Sequence, residues 1–255
     1  MSVILIPALQ DNYQHLIICE ETRQAAIVDP AEAESVFPVL KKYNVKLSLI
    51  LNTHHHWDHV GGNQELAEHF GIPILCSQYD VLRITGASKS LVEGDEVAIG
   101  NLRLKVLDVP GHTLGHIAYY GHSRLFCGDT LFGAGCGRLF EGTPAMMVAA
   151  LNKLSALSPE TLVHCGHEYT LNNLLFAKTL EPGNAALLKK LDEVRALRRE
   201  QQPTVPSTLR EEFSYNPFLR THLSVICDAL TKIGYENLHD ELAIFTALRE
   251  YKNGF

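Results

Sequence analysis

The sequence predicts an α+β protein: a four-layer sandwich, in which helices cover two facing sheets, followed by a small all-helical domain. Three observations carry this prediction. Up to residue 76, short apolar runs alternate with helical periodicity: residues 3–6, 15–19, 25–28, 47–51 and 72–76 read as strands and 35–43 and 64–70 as helices, with Pro38 tolerated in a first turn. From residue 92 the runs are short and turn-punctuated, at 92–99, 102–107, 117–120 and 125–127, as a second sheet requires. A helix over 143–157 and a strand over 161–164 follow, and beyond about residue 170 no strand pattern remains. There Asn184 caps a segment with Leu187, Leu188, Leu191, Val194 and Leu197 at helical spacing, and 221–233 and 240–252 read as further helices. The predicted division is therefore 1–170 and 171–255. Residues 78–89 are polar and carry no clear periodicity.

Composition narrows the class. The 255 residues are 46% hydrophobic and 20% charged, as in a soluble globular chain, and the net charge of −7 argues against nucleic acid as a partner. No basic residue precedes the apolar run at the amino terminus, no C-x-x-C pair occurs among six cysteines, and no apolar stretch reaches the roughly 18 residues that span a bilayer. The chain reads as cytoplasmic, without a membrane partner, monomeric, and with its cysteines reduced and buried.

The least random stretch is Asn52-Thr53-His54-His55-His56-Trp57-Asp58-His59-Val60-Gly61-Gly62, which packs four of the 13 histidines and an aspartate into six residues. It follows the apolar run 47–51, so the histidines emerge at the carboxyl end of a strand, where α/β sheets place ligands. His54 and His56, two apart, point the same way from an extended segment. Asp58 and His59 are adjacent and require a turn. Imidazole and carboxylate donors suit zinc, iron or manganese. Pairing His55 with His59 would imitate a zinc-protease helix, but that motif needs Glu where His56 stands. The bland reading is a histidine-rich surface loop.

Three further strand ends carry candidates. Val109-Pro110-Gly111-His112-Thr113 fixes His112 beyond a Pro-Gly turn; alone it reads as a solvated loop histidine. Gly128-Asp129-Thr130 offers an aspartate that alone reads as a turn former. Cys165-Gly166-His167-Glu168-Tyr169 offers His167, which the glycine frees to face a cleft, in preference to His164 inside the strand. What joins them is the shared placement at strand ends. His55 and His116 read as orienting groups or, for His116, equally as a hydrogen-bonded histidine starting a strand.

Taken together, Thr53-His54-His55-His56-Trp57-Asp58-His59, Pro110-Gly111-His112-Thr113, Gly128-Asp129-Thr130 and Gly166-His167-Glu168-Tyr169 resemble the successive metal motifs of the metallo-β-lactamase superfamily. Gly135-Cys136-Gly137-Arg138-Leu139-Phe140-Glu141-Gly142-Thr143, the stretch 165–170 and Pro203-Thr204-Val205-Pro206-Ser207-Thr208 are similar to the hydroxyacylglutathione hydrolase (glyoxalase II) family, end to end. The resemblance implies the αβ/βα sandwich with a helical substrate-binding domain. It also implies two divalent metal ions, zinc first with iron or manganese as alternatives: one held by His54, His56 and His112, the other by Asp58, His59 and His167, with Asp129 bridging. Asp58 and Asp129 would be catalytic together with a metal-bound hydroxide.

Two ions about 3.5–4 Å apart lower the pKa of a shared water from about 15.7 towards roughly 7 and polarise a carbonyl. A thioester suits such a centre, because a thiol leaving group with a pKa of about 8.5 needs little acid assistance. The implied substrate is S-D-lactoylglutathione or a similar 2-hydroxyacyl glutathione, cleaved to glutathione and D-lactate. The matching substrate positions are Arg138, Phe140, Tyr169, Arg249 and Lys252, with Phe140 departing from the family's tyrosine and lacking its hydroxyl. Arg249 and Lys252, three apart on one helix, make a candidate carboxylate clamp or simply a basic helix end. Two alternatives stand beside this reading. One is a single-iron glutathione persulfide dioxygenase of the same superfamily. The other is a non-catalytic metal-stabilised module, against which stand seven donors where a closed structural site needs four.

Overall fold

The computed structural model describes residues 1–255, which divide into two compact units: 1–108 with 114–128, and 109–113 with 129–255.

The first unit begins with β1 (Ser2–Ala8), β2 (Asn12–Ile18) and β3 (Gln24–Val28), an antiparallel meander, and continues through α1 (Val36–Tyr43) to β4 (Lys46–Leu51). After α2 (Trp57–Val60) and α3 (Asn63–Phe70) come β5 (Ile74–Ser77) and β6 (Ala87–Leu91), and β3 to β6 pair in parallel. The switch in direction at β3 follows from the helical connections, since parallel neighbours need a crossover. β7 (Glu96–Ile99), β8 (Leu102–Asp108), β9 (Ile117–Gly121) and β10 (Arg124–Gly128) form an antiparallel meander. Between the two sheets lies an apolar layer in which Val28, Leu49 and Leu51 meet Leu104, Val106, Tyr119 and Phe126. The opposite face of the mixed sheet buries Leu16, Ile27 and Ile50 against Val36 and Leu40 of α1 and Leu66 of α3. β2 is buried throughout, apolar at Leu16, Ile17 and Ile18 but carrying the buried polar side chains of Asn12, Gln14 and His15.

Most element ends shift by one to three residues from the expectation, and two segments differ in kind. Residues 92–95 are not strand: Gly94 has φ +86 and the Asp95 carboxylate accepts from the Val92 amide, so a turn precedes β7. The unassigned polar segment ends in the parallel strand β6. Asp58 and His59 sit in the one-turn helix α2, which supplies the turn their adjacency demands.

The second unit holds the two-stranded ribbon β11 (Leu131–Phe132) and β12 (Gly135–Cys136), α4 (Pro144–Ser155), β13 (Leu162–Cys165), α5 (Thr170–Leu180) and α6 (Ala185–Arg199). Then come β14 (Ser207–Thr208), α7 (Leu209–Tyr215), a 3-10 turn at Pro217–Leu219, α8 (Ser224–Lys232) and α9 (Glu241–Asn253). Asn184 caps α6 as the sequence predicts, its side chain accepting from the Leu187 amide, and Thr208 with Glu211 forms a capping box on α7. Leu187, Leu191 and Val194 bury one face of α6 against Leu174, Ala177 and Tyr215. The two-residue strand β14, paired with β13, has no sequence signal because pairing alone defines it. No disulfide links the six cysteines, and five of them are buried. No helix is long and apolar enough to cross a membrane.

Candidate metal centre and substrate site

In the first unit the histidine loop leaves the end of β4 and is held by a residue the sequence analysis did not single out, Asp29, at the end of β3. Its Oδ1 accepts from the Thr53 amide at 2.7 Å, and its Oδ2 accepts from the Thr53 hydroxyl at 2.6 Å and from His59 Nδ1 at 3.2 Å. The Thr53 hydroxyl, having donated to Asp29, accepts from His54 Nδ1 at 3.0 Å. Two rings are thereby fixed in one tautomer, with Nδ1 protonated and the Nε2 lone pair outward. The His54 and His59 rings lie 4.2 Å apart. Asp29, His54 and His59 could be grouped as donors to one ion, but the nitrogen that His59 directs at Asp29 is Nδ1 and both Asp29 oxygens accept hydrogen bonds from the loop, which is the arrangement of an orienting group. Removing it would leave two buried N–H donors unsatisfied, at about 1–3 kcal/mol each. The available signal was an aspartate directly after an apolar strand, the same signal that drew attention to Asp129.

His116 stacks on His54 at 4.6 Å and 16°, and its Nδ1 faces the Ile117 carbonyl at 3.1 Å. It supports the loop. His55 turns aside instead: Arg83 donates to its Nε2 at 2.7 Å, and Nδ1 stands 3.4 Å from the buried Asp80. Gly128 has φ +46, and a Cβ there would come within 2.2 Å of the Thr53 hydroxyl, so only glycine lets β10 end against this loop.

In the second unit His112 donates from Nδ1 to the Arg138 carbonyl at 2.8 Å, the same orienting device by another acceptor. Its Nε2 lies 3.5 Å from Asp129 Oδ2, and His167 Nε2 lies 3.4 Å from that same oxygen. One carboxylate oxygen therefore faces two imidazoles. His167 lies just beyond β13, whereas His164 is within the strand, and both are buried. A Cβ on Gly137 would come within 2.0 Å of the Asp129 carbonyl, so glycine closes this part of the chain onto the aspartate.

These spacings test whether a cation fits. Donor atoms about 2.0–2.2 Å from one ion, at angles of about 90–120°, stand about 2.9–3.8 Å apart. His54 Nε2 and His56 Nδ1 are separated by 3.0 Å, His59 Nε2 and Asp58 Oδ2 by 3.7 Å, and the two Asp129 pairs by 3.5 and 3.4 Å. The donors are imidazoles and carboxylates, the set of a divalent-metal site.

Phe140 is exposed and meets the His112 ring edge-on at 5.1 Å; the half-exposed Tyr169 stacks on His167 at 4.8 Å and 2°. Arg138 is exposed. The Lys252 ammonium lies over the rings of Phe176 and Phe255 at 5.0 and 4.7 Å. Burial first, and then the charges of Arg249 and Arg138, pull its pKa down to about 8. The exposed Arg249/Lys252 clamp expected from the spacing is not what α9 presents. Arg249 is 5% exposed, donates from Nη1 to the Cys136 carbonyl at 2.8 Å and from Nε to Asn253 at 3.1 Å, and packs over Phe218. The spacing was right about the shared helix, but the helix turns that side inward.

Residues 16–182 match the metallo-β-lactamase superfamily model and 168–255 the hydroxyacylglutathione hydrolase carboxyl-terminal model. A hydroxyacylglutathione hydrolase of Gloeobacter violaceus is 49% identical over 258 residues, covering 100% of both chains, and one of Rhodospirillum rubrum 46% identical, covering 98% of this chain and 97% of its own. The chain belongs to the hydroxyacylglutathione hydrolase family. Among solved structures, ETHE1 from Myxococcus xanthus superposes with a TM-score of 0.68 at 26% identity, covering 98% of each chain. TTHA1623 in a di-iron-bound form gives 0.62 at 26% identity, over 86% of this chain and 100% of its own. The fold of this hydroxyacylglutathione hydrolase family member is thus the metallo-β-lactamase α+β sandwich with a carboxyl-terminal helical segment, the class that its strand pattern predicts.

Proposed function

We propose that the chain is a dinuclear thioester hydrolase that converts S-D-lactoylglutathione and similar 2-hydroxyacyl glutathiones to glutathione and the hydroxy acid, the second step of methylglyoxal detoxification. The observation that carries this reading is Asp129 Oδ2, within 3.5 Å of both His112 and His167, among residues in which relatives named for this activity are 45–49% identical. In this assignment His54, His56 and His112 serve one divalent cation and Asp58, His59 and His167 the other, with Asp129 shared. Zinc is proposed first; iron and manganese suit the same donors, and the di-iron-bound form of TTHA1623 supports a pair.

When bound, such a pair supplies a nucleophilic oxygen near neutral pH and polarises the thioester carbonyl. The chain's own residues do the rest. Asp29, Thr53 and the Arg138 carbonyl hold imidazole lone pairs on target, so no reorganisation is needed as charge develops. Asn12 donates to Asp58 Oδ2 at 3.1 Å and to the Asp58 carbonyl at 3.0 Å, fixing a carboxylate that can take a proton from the attacking water. Attack forms the C–O bond, cleavage of C–S releases the thiolate, and the proton passes to it or to solvent.

For substrate capture we propose Phe140 and Tyr169 as apolar walls and Arg138 and Lys252 as carboxylate contacts, with Arg249 adding positive charge from beneath. Burial, followed by the charges of Arg249 and Arg138, depresses the Lys252 pKa, and a bound anion offsets both by favouring the charged form. The sign follows: Lys252 is charged below about pH 8 and loses its proton above it. Inhibition by a non-hydrolysable S-alkylglutathione is expected to weaken as pH rises from 7 to 9.5, and Lys252→Met is expected to flatten that profile while binding more weakly at pH 7. Identical profiles in the two proteins would remove Lys252 from the site.

The functional boundary is proposed near residue 170, within the stretch where the two family models overlap, and the protein is proposed to work as a cytoplasmic monomer. The direct test is release of free thiol from S-D-lactoylglutathione by the purified chain, with and without chelator. Chelator-sensitive release is expected; none from a metal-loaded protein would overturn the activity. The single-iron dioxygenase reading is not favoured, since full-length relatives carry the hydrolase name.

A further inference from the structure

Glu212 of α7 is fully buried, yet it lies outside every motif discussed above. Its Oε2 accepts from the Ala134 amide at 2.8 Å and from Asn216 Nδ2 at 2.9 Å, and its Oε1 accepts from the Tyr215 hydroxyl at 3.1 Å. Asn216, also fully buried, donates from the same Nδ2 to the carbonyls of Phe132 and Gly135, at 3.3 and 3.1 Å. One carboxylate and one amide thus grip the whole tip of the β11–β12 ribbon. The grip holds a conformation the chain would otherwise resist, because Ala134 has φ +56, where a residue with a Cβ is disfavoured.

The two ends of that ribbon lead to the proposed centre. Leu131 pairs with Cys136 and Phe132 with Gly135, so a shift at the tip is carried along the register. One strand begins two residues after Asp129; the other leads through Gly137, whose amide donates to the Thr130 carbonyl at 3.2 Å, into Arg138, whose carbonyl orients His112. Burial raises the Glu212 pKa, which four donors oppose: Ser207, the Ala134 amide, Asn216 and Tyr215. A buried acid with this many partners costs desolvation that a neutral apolar side chain would not, and what it holds is the ribbon between two proposed metal ligands.

We propose that Glu212, acting with Asn216, is a positioning residue that sets the β11–β12 ribbon and through it the placement of Asp129 and of the carbonyl that orients His112. The inference rests on the proposed metal assignment, and its test is read on metal retention as well as on turnover.

The experiment compares the metal-loaded full chain with Glu212→Gln and Tyr215→Phe. Glutamine fills the same volume but turns an amide towards donors on at least one side. Phenylalanine removes one bond to the carboxylate without touching the ribbon. Zinc transfer to a chelator is followed together with thermal unfolding and the kcat and KM of thioester cleavage. Glu212→Gln is expected to weaken zinc retention about 10–100-fold, the range for groups that orient ligands, with kcat falling more than KM. Tyr215→Phe is expected to lower Tm with wild-type zinc retention. Should Glu212→Gln fail to fold, Glu212→Asp, which keeps the charge and shortens the reach, is expected to give the same ordering with a smaller loss. Wild-type zinc retention in the Glu212 variant, or losses in both variants that simply track Tm, would overturn the proposal. A wild type that binds zinc tightly but cleaves no thioester would overturn the activity and leave this positioning role standing.

Discussion

Asp129→Ala is expected to lose metal and turnover together, with stoichiometry falling from two ions per chain and kcat/KM dropping by more than about 100-fold. The size follows from the geometry: a single oxygen, Asp129 Oδ2, faces both His112 and His167, so its removal touches the two proposed positions at once. Loss of a group that merely orients a ligand already costs about 10–100-fold, and loss of a shared ligand must cost more. Elemental analysis of wild type and variant, beside thiol-release kinetics, reads both quantities. One tightly held ion at full wild-type activity would exclude the dinuclear scheme, and oxygen consumption with glutathione persulfide would then be the measurement to make.

The second large effect separates two histidines three residues apart. His167→Ala is expected to empty one metal position and nearly abolish hydrolysis while leaving the fold intact, since His167 lies beyond β13 with its Nε2 directed at Asp129. His164→Ala is expected to do the opposite. Its side chain is buried within β13, so truncation leaves a cavity costing about 2–3 kcal/mol, or roughly 5–10 °C in Tm, with both metals retained. Metal content and Tm of the two variants decide it; an inactive, metal-poor His164→Ala beside an active His167→Ala would show the donor assignment shifted along the strand end.

Much of the site was legible because its chemistry is local. The run from His54 to His59 is improbable as a surface loop, and its position after an apolar strand follows from sequence alone. So do His112, Asp129 and His167, each placed directly after a strand or a Pro-Gly turn. The helices were legible through caps and periodicity, Asn184 ahead of Leu187 and Leu191 being the clearest case. Residue types at strand ends and apolar spacing along helices are one-dimensional signals, and they determined the fold class, the metal-ligand candidates and the family resemblance.

Other features depended on partners far away in the chain. Asp29 orients donors 24 and 30 residues later, and Glu212 grips a turn 78 residues earlier. Neither pairing has a sequence period. Arg249 shows the difference most plainly: its spacing from Lys252 described a shared helix correctly, but which side of that helix is buried depends on the Cys136 carbonyl and the Phe218 ring, 113 and 31 positions away. Local sequence determined which atoms could ligate, donate or carry charge. Only the tertiary structure decided which nitrogen of each histidine faces outward and which cations are exposed, because tautomer and burial are set by the distant groups that fill each side chain's other contacts.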